Sequence, residues 1–486
     1  MNVSQGTTRL IRLAVIAAQA ISLAGTVAGS PPAQASTIAP VITGHAAAGW
    51  GYNGFGELGD GQRRKGCCSP RSAGWAATSS RLRPGQSQSL AVTSGGTVWA
   101  WGSNLYGQLG NGTTIDTSNV PVQVKGLTGV VAVAAGYEHS LALRDDGTVW
   151  AWGGNPEGQL GTGATGNTQL TPVEVAGLTG VTKIAAGGFF SLALRSDGTV
   201  WAWGSNATGE LGDGTTTSSP VPVRVTGLSQ VTGIAAGYSA AYAIRTRSIT
   251  ALASLWAWGD NTGGGLGDGT QTNHLTPEEV TGISAPSIAS VAAGREFAVA
   301  RGSDGSVWAW GDNSGGQLGT APAANPVLRP VETIGTGSGI IQLSANSIAL
   351  ADLKFAHVAA LRSDGTVLAW GYNSQGELGD GTTAAHFGPE QVAGLTGATQ
   401  VSAGANFTLA VTALATVPDV RRLTTTAASS TLQAAGFVLG QVTTAADNAC
   451  DHFGVIMWQS PAVGTSARLG SPVRVTIGVP PPTPCP

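Results

Sequence analysis

Three kinds of residue in this chain are equipped for chemistry. Carboxylates come first. Eight aspartates stand directly before a glycine, at Asp60, Asp146, Asp197, Asp213, Asp268, Asp304, Asp364 and Asp380, and paired carboxylates are a common apparatus of general acid–base catalysis. Imidazoles come second: six histidines stand among many serines, the ingredients of a nucleophilic triad. Thiols come third, with Cys67 and Cys68 adjacent and Cys450 and Cys485 near the C-terminus. The stretch Tyr52-Asn53-Gly54-Phe55-Gly56 and its copies also imitate glycine-rich phosphate loops.

Each of these has a stronger structural reading. Asp-Gly is a hairpin signal, expected here as a two-residue type I′ turn. A phosphate loop should open a helix, and none is expected after Gly56. The histidines are scattered, with no Ser/His/Asp order. The Cys67-Cys68 spacing suits no zinc pattern, and the Asp260–Asp268 loop lacks the EF-hand spacing for calcium. The Gln159 position, occupied elsewhere by Glu57, Gln108, Glu210, Gln317 and Glu377, reads as a cap for loop amides. The expectation is therefore no catalytic residue, no cofactor and no metal. Cys450 and Cys485 are disulfide candidates, and so are Cys67 and Cys68 within one loop; spacing does not settle the pairing.

The elements that would position any site are announced by a repeat. Val149-Trp150-Ala151-Trp152-Gly153, followed by Asn155, Gly158 and Gln159-Leu160-Gly161, recurs along the chain. The second Trp of the motif falls at Trp50, Trp101, Trp152, Trp203, Trp258, Trp310 and Trp370, at intervals of 51, 51, 51, 55, 52 and 60 residues. A period near 50 residues made of strand-like units indicates a propeller or solenoid.

One period reads as four antiparallel strands: Ser140 to Arg144, Val149 to Gly153, Pro172 to Val175, and Val181 to Ala186. Proline opening the third suits an edge position. Seven copies predict a mainly β, seven-bladed propeller. The chain enters at Gly49-Trp50-Gly51 without a first strand and leaves at Phe407 to Val411 without a second. Pairing these ends closes the ring and removes its open edges. Blades sandwiched on both faces explain why Val-Trp-Ala-Trp is apolar on both parities, and they place the tryptophans in inter-blade core.

Charged residues are 10% of the chain and the net charge is −3, which argues against a nucleic-acid partner. Arg9 and Arg12, an apolar run from Leu13 to Val27 and Ala33-Gln34-Ala35 have the form of a secretory signal peptide over 1–35. The expectation is export, with no membrane span after cleavage.

Ala134 to Gly161 resembles the regulator of chromosome condensation repeat almost throughout, and the resemblance covers about residues 44 to 412. It implies a seven-bladed ring over 36–413. The family's founding member is a nuclear guanine-nucleotide exchange factor. Export argues against that role here, as does the His139 position, which recurs only at His357 and elsewhere holds Gln88, Phe190, Ala240, Phe297 and Phe407. A secreted bacterial propeller that inhibits β-lactamases is similar in architecture, with shorter loops, and implies an inhibitor as an alternative; a wall-active enzyme is another. Beyond Val417-Pro418-Asp419-Val420, a helix from Thr425 to Ala435, Gln459-Ser460-Pro461 and Gly470-Ser471-Pro472-Val473 resemble a small α+β PASTA domain over 414–479, with a Pro-rich tail at 480–486. That resemblance implies contact with peptidoglycan at a bacterial cell wall.

Strand parity sends the Asp-Gly and Gly-Leu-Thr-Gly turns to one face, here the upper. The long Gly/Thr loops and the Ala-Ala-Gly-x-x segments go to the lower face. Recurrence collapses at the two x positions, which include Tyr137, Glu138, Phe189, Tyr238, Arg295, Glu296 and Phe355. Aromatic and Arg residues dominate interface hot spots. These are the candidates for binding an unknown protein partner, with the C-terminal module expected on the opposite face.

Overall fold

The computed structural model describes residues 42–63, 71–76, 79–85, 87–246, 252–321, 325–345 and 356–482. The expected signal peptide, Cys67, Cys68, Phe355 and Cys485 lie outside the described residues.

Seven antiparallel sheets follow one another around the ring, six of four strands and one of five that the ends of the chain share. The second sheet is representative: Val130–Ala135, His139–Arg144, Val149–Gly153 and Gln169–Glu174, in that spatial order. The strand Val181–Ala186 opens the next sheet rather than completing this one. The expected grouping of strands is thus displaced by one. A continuous meander has the same period wherever it is cut, and only lateral pairing shows that the Gly177–Gly180 turn crosses between blades.

The ring closes as expected. Ile42–Gly51 pairs antiparallel with Phe407–Thr416, bringing Gly49 opposite Leu409 and Trp50 opposite Thr408. Ala398–Ala403 flanks this pair on the inside and Arg71–Ala76 on the outside.

Two local expectations are corrected. In the Asp-Gly turns only the glycine has positive φ, as at Gly147 (81°), while Asp146 does not. The Gly147 amide donates to the Arg144 carbonyl at 3.0 Å, giving a type I turn over Asp145-Asp146 with glycine as the bulge residue. Asp146 Oδ1 then accepts the Thr148 amide at 2.9 Å, a job that needs no positive φ from the aspartate. The recurring proline does not open its strand either. Pro172 lies inside Gln169–Glu174, in a register break where Gln169 faces Gly153 and Val173 faces Ala151. A bulge on an edge strand tolerates the missing amide.

Five of the seven copies carry two tryptophans, and the two differ. The second is fully buried in all seven copies, and its Nε1 always donates to a main-chain carbonyl of the preceding blade. Trp101 reaches Glu57 at 2.6 Å, Trp152 reaches Gln108 at 2.8 Å, and Trp203 reaches Gln159 at 2.8 Å. Trp258, Trp310 and Trp370 reach Glu210, Gly265 and Gln317. The first tryptophan is only half-buried and packs at the margin of the inter-blade core. Arg195 lies over Trp201 at 5.8 Å and Arg245 over Trp256 at 5.4 Å, covering the exposed rings. Each long loop is held by a buried asparagine. Asn155 Oδ1 accepts the Leu160 amide at 3.0 Å, and its Nδ2 donates to the Ala164 carbonyl at 2.8 Å.

The C-terminal module has one helix, Thr425–Ala434, capped by Thr424. Its three-stranded sheet has the order Val438–Ala446, Pro472–Val479, Ile456–Ser460. Val420, Ala428, Leu432, Phe437, Ile456 and Val473 fill its core. Ser466–Arg468 adds to the closing blade by pairing with Leu414, Ala415 and Thr416. Thr396 Oγ1 donates to the Leu469 carbonyl at 2.7 Å, and Arg468 Nη2 to the Ala47 carbonyl at 3.1 Å. Thr396 belongs to the Gly-Leu-Thr-Gly turn, so the module docks on the upper face. No helix among the described residues is long and apolar enough to cross a membrane.

Candidate binding face at the channel mouth

The innermost strands line an axial cavity of about 280 Å³ whose wall includes Val133, Ile184, Ile234, Val291, Leu343 and Ser402. Small residues, Ala134 and Ala186 among them, let seven strands converge there. Four inner strands run down into Ala-Ala-Gly-x-x turns at Gly136, Gly187, Gly237 and Gly294, and these turns bond to their neighbours around the lower mouth. Gln88 Nε2 donates to the Gly136 carbonyl at 3.1 Å. The Tyr137 amide donates to Gly188 at 3.3 Å, the Gly188 amide to Tyr238 at 2.9 Å, and the Tyr238 amide to Gly294 at 3.3 Å. Glycine is required by this approach: a Cβ on Gly237 would lie 2.5 Å from the Gly294 carbonyl oxygen.

Stitching the turns brings their variable side chains together. Tyr137 and Phe189 have ring centroids 5.2 Å apart, and each is 6.1 Å from Tyr238. Arg295 lies over the Tyr238 ring at 5.6 Å and its Nε is 3.6 Å from Glu296 Oε1. Four of the expected residues, from four successive blades, therefore form one half-buried cluster. Glu138 sits at its edge beside the Tyr106 phenol, and burial raises its carboxyl above the usual range. Burial, with the Glu138 charge behind it, also pushes the Tyr137 phenol up.

Sequence reasoning missed the continuation of this surface. Leu105 is 55% exposed and Tyr106 42%, and both stand just after the loop asparagine Asn104. Phe55 occupies the matching site in the closing blade, 6.2 Å from Tyr52. The signal was present: the two residues after the recurring asparagine also refuse to repeat.

The groups with apparent chemistry have other duties. His139 and His357 are fully buried, and burial lowers both to about 3. They bond across blade junctions, His139 Nε2 to Ser191 Oγ at 3.0 Å and His357 Nε2 to Thr408 Oγ1 at 2.8 Å. The Gln159 position caps loop amides as expected: Gln159 Oε1 accepts from Glu157 and Glu57 Oε2 from Phe55, both at 2.9 Å. Where the residue is glutamate it is buried, and burial pushes Glu57 up to about 8 and Glu377 to about 7. Asp447, Asp451 and His452 offer ligand atoms within 4.8 Å of one another. Asp447 already accepts the amides of Ala449, Asp451 and His452, which makes it the clasp of its loop. Cys450, in that loop, is disulfide-bonded.

Residues 128–417 match the profile of the RCC1-like domain, and 95–143 match the regulator of chromosome condensation (RCC1) repeat. The ultraviolet-B receptor UVR8 of Arabidopsis thaliana is 33% identical over 338 residues, 68% of this chain and 74% of that protein. The chain belongs to the RCC1-like domain family. Its RCC1-like ring is followed by a PASTA domain, matched over 415–479. The human E3 ubiquitin-protein ligase HERC2 is 32% identical over 373 residues, 74% of this chain but 7% of the ligase, so the likeness is confined to a small part of it. Among solved structures, Prp20p of Saccharomyces cerevisiae superposes with a TM-score of 0.66 at 21% identity, covering 77% of this chain and 93% of that one. Human WBSCR16 gives 0.67 at 22% identity, covering 76% and 98%. At this identity the two structures speak for the RCC1-like fold alone.

Proposed function

We propose that this protein is an exported, wall-associated binding protein rather than an enzyme. Its ring holds a protein partner at the lower mouth, and its PASTA domain holds peptidoglycan. The observation that carries the first half is the aromatic cluster of Tyr137, Phe189 and Tyr238 beside Arg295, extended by the exposed Tyr106 and Leu105. Large rigid rings that stay half-exposed around a concave mouth are the residues that dominate protein interfaces. Prp20p, which shares the fold, is described with binding properties toward Gsp1p and histones.

The second half rests on the PASTA match and on Trp458, 71% exposed on the outer strand of the module. Trp458 pairs with Thr476, whose hydroxyl meets Thr443 Oγ1 at 3.0 Å, making a row of one ring and two hydroxyls across the sheet. Such a row suits a sugar ring or a stem peptide. Docking of the module on the upper face leaves the lower mouth free when the module is engaged.

The test is retention and capture by the full chain. Trp458→Ala should release the protein from purified peptidoglycan while leaving partner capture from culture supernatant intact. Tyr137→Ala with Phe189→Ala should do the reverse. Equal retention by the Trp458 variant refutes wall binding through this sheet, and unchanged capture by the double variant refutes the face.

A further inference from the structure

The two faces differ in charge: the upper face carries both signs, arginines standing beside the turn aspartates, as Arg144 does 3.1 Å from Asp146. Arginines recur where the second strand of a blade reaches the upper face, at Arg144, Arg195, Arg245, Arg301 and Arg362. Around the lower mouth the described residues are acidic: Glu138, Glu157, Asp260 and Glu296. Arg295 is engaged with the Tyr238 ring and Glu296, and Arg63 lies out on a long loop against Thr117. The aromatic surface is therefore framed by carboxylates.

The geometry at Glu138 adds direction. Its carboxylate packs against Gly154 beside the Tyr106 and Tyr137 phenols, so two phenol rings neighbour one acid at the edge of the cluster. In the same cluster Arg295 shows the arrangement these groups favour, a guanidinium over a tyrosine ring with a glutamate at its side. No described cation of this chain lies over Tyr137 or Tyr106. An acidic partner would meet like charge from Glu138, Glu157 and Glu296, which disfavours it before contact.

We propose that the lower mouth takes a protein segment presenting lysine or arginine, its stem lying over Tyr106 and Tyr137 and its charge meeting Glu138. This rests on the protein-binding reading of the same face and narrows it to a cationic partner. Recognition combines cation–π attraction with a carboxylate in a partly desolvated site, and electrostatic steering by the acidic frame speeds the encounter.

The experiment is selection of displayed random dodecapeptides on the full chain at low salt, followed by titration of the synthetic winners. The winners should carry lysine or arginine. Replacing that residue by norleucine should weaken binding about tenfold or more, and Glu138→Gln should do the same with an unchanged melting temperature. Affinity should also fall as salt rises. Winners without a cation that still lose affinity in Tyr137→Ala or Phe189→Ala overturn the cationic assignment and leave the face as a protein site. Winners indifferent to those substitutions, or no winners, overturn both.

Discussion

Trp50 Nε1 lies 2.7 Å from the main-chain carbonyl oxygen of Glu377, 327 residues away in the sequence. It is the seventh copy of a bond made at every blade junction, and the one that joins the two ends of the chain. The Thr408 hydroxyl donates to the same carbonyl at 3.0 Å.

Trp50→Phe keeps most of the packing and removes one donor. Because Thr408 still satisfies the carbonyl, the expected loss is about 1 kcal/mol, the net worth of an ordinary hydrogen bond. Trp50→Ala leaves a cavity at the closure, and the loss should reach about 3–5 kcal/mol. Urea unfolding checks both. A fall in midpoint at constant slope is expected for the phenylalanine variant.

Glu57 and Glu377 flank the closing blade, and each has one carboxyl oxygen, Oε1, buried without a partner. Glu57 holds its proton to about 8 in the ring because burial penalises the charge, and Glu377 to about 7. Unfolded, both titrate near 4.5. Between those values the folded state binds the extra protons, so stability is greatest at the acid end of this window and declines as pH rises toward about 8. Glu57→Gln, the residue type that Gln108, Gln159 and Gln317 already supply in other blades, should flatten the decline by up to about 1.4 kcal/mol per pH unit. Urea midpoints at several pH values would show it, and an unaltered slope would count against a protonated Glu57.

Asn155→Ala removes the acceptor for the buried Leu160 amide and the donor to Ala164. An orphaned buried amide costs about 1–3 kcal/mol. The fold should survive, with hydrogen exchange of the Leu160 amide accelerated far more than that of Leu211, which Asn206 holds in the same way.

Tyr137 and Phe189 should couple. Their rings touch at 5.2 Å, so a double-mutant cycle to alanine is expected to give about 0.5–1.5 kcal/mol of interaction in stability. Additive losses would mean that the rings do not pack in solution.

Much of the ring is legible in the sequence because its packing is repetitive. A blade buried on both faces must repeat Val-Trp-Ala-Trp, its tight turns must repeat Asp-Gly, and its loops must repeat asparagine. The same repetition hides where one blade ends. It also misleads about the aspartate in the turn, since a type I turn with a bulge glycine and a type I′ turn share the Asp-Gly pair. The two tryptophans of a motif look equivalent in the sequence, yet one is buried and the other half-exposed.

The site was only half legible. Absence of repetition at Tyr137, Phe189, Tyr238 and Arg295 marks them as free of the packing rule, and that much follows from the sequence alone. Their convergence does not. It is produced by the hydrogen bonds that run from Tyr137 to Gly188 to Tyr238 to Gly294, each joining turns about 50 residues apart. Tyr106 joins them from another kind of loop, and the carboxylates around the mouth, Glu138, Glu157, Asp260 and Glu296, come from four different loops. Amino-acid order alone determined the ring, its closure and the attached module, because those are dictated by local pairing and periodic burial. Which side chains share the mouth, and the sign of the charge around it, was decided only when the ring closed and set distant loops side by side.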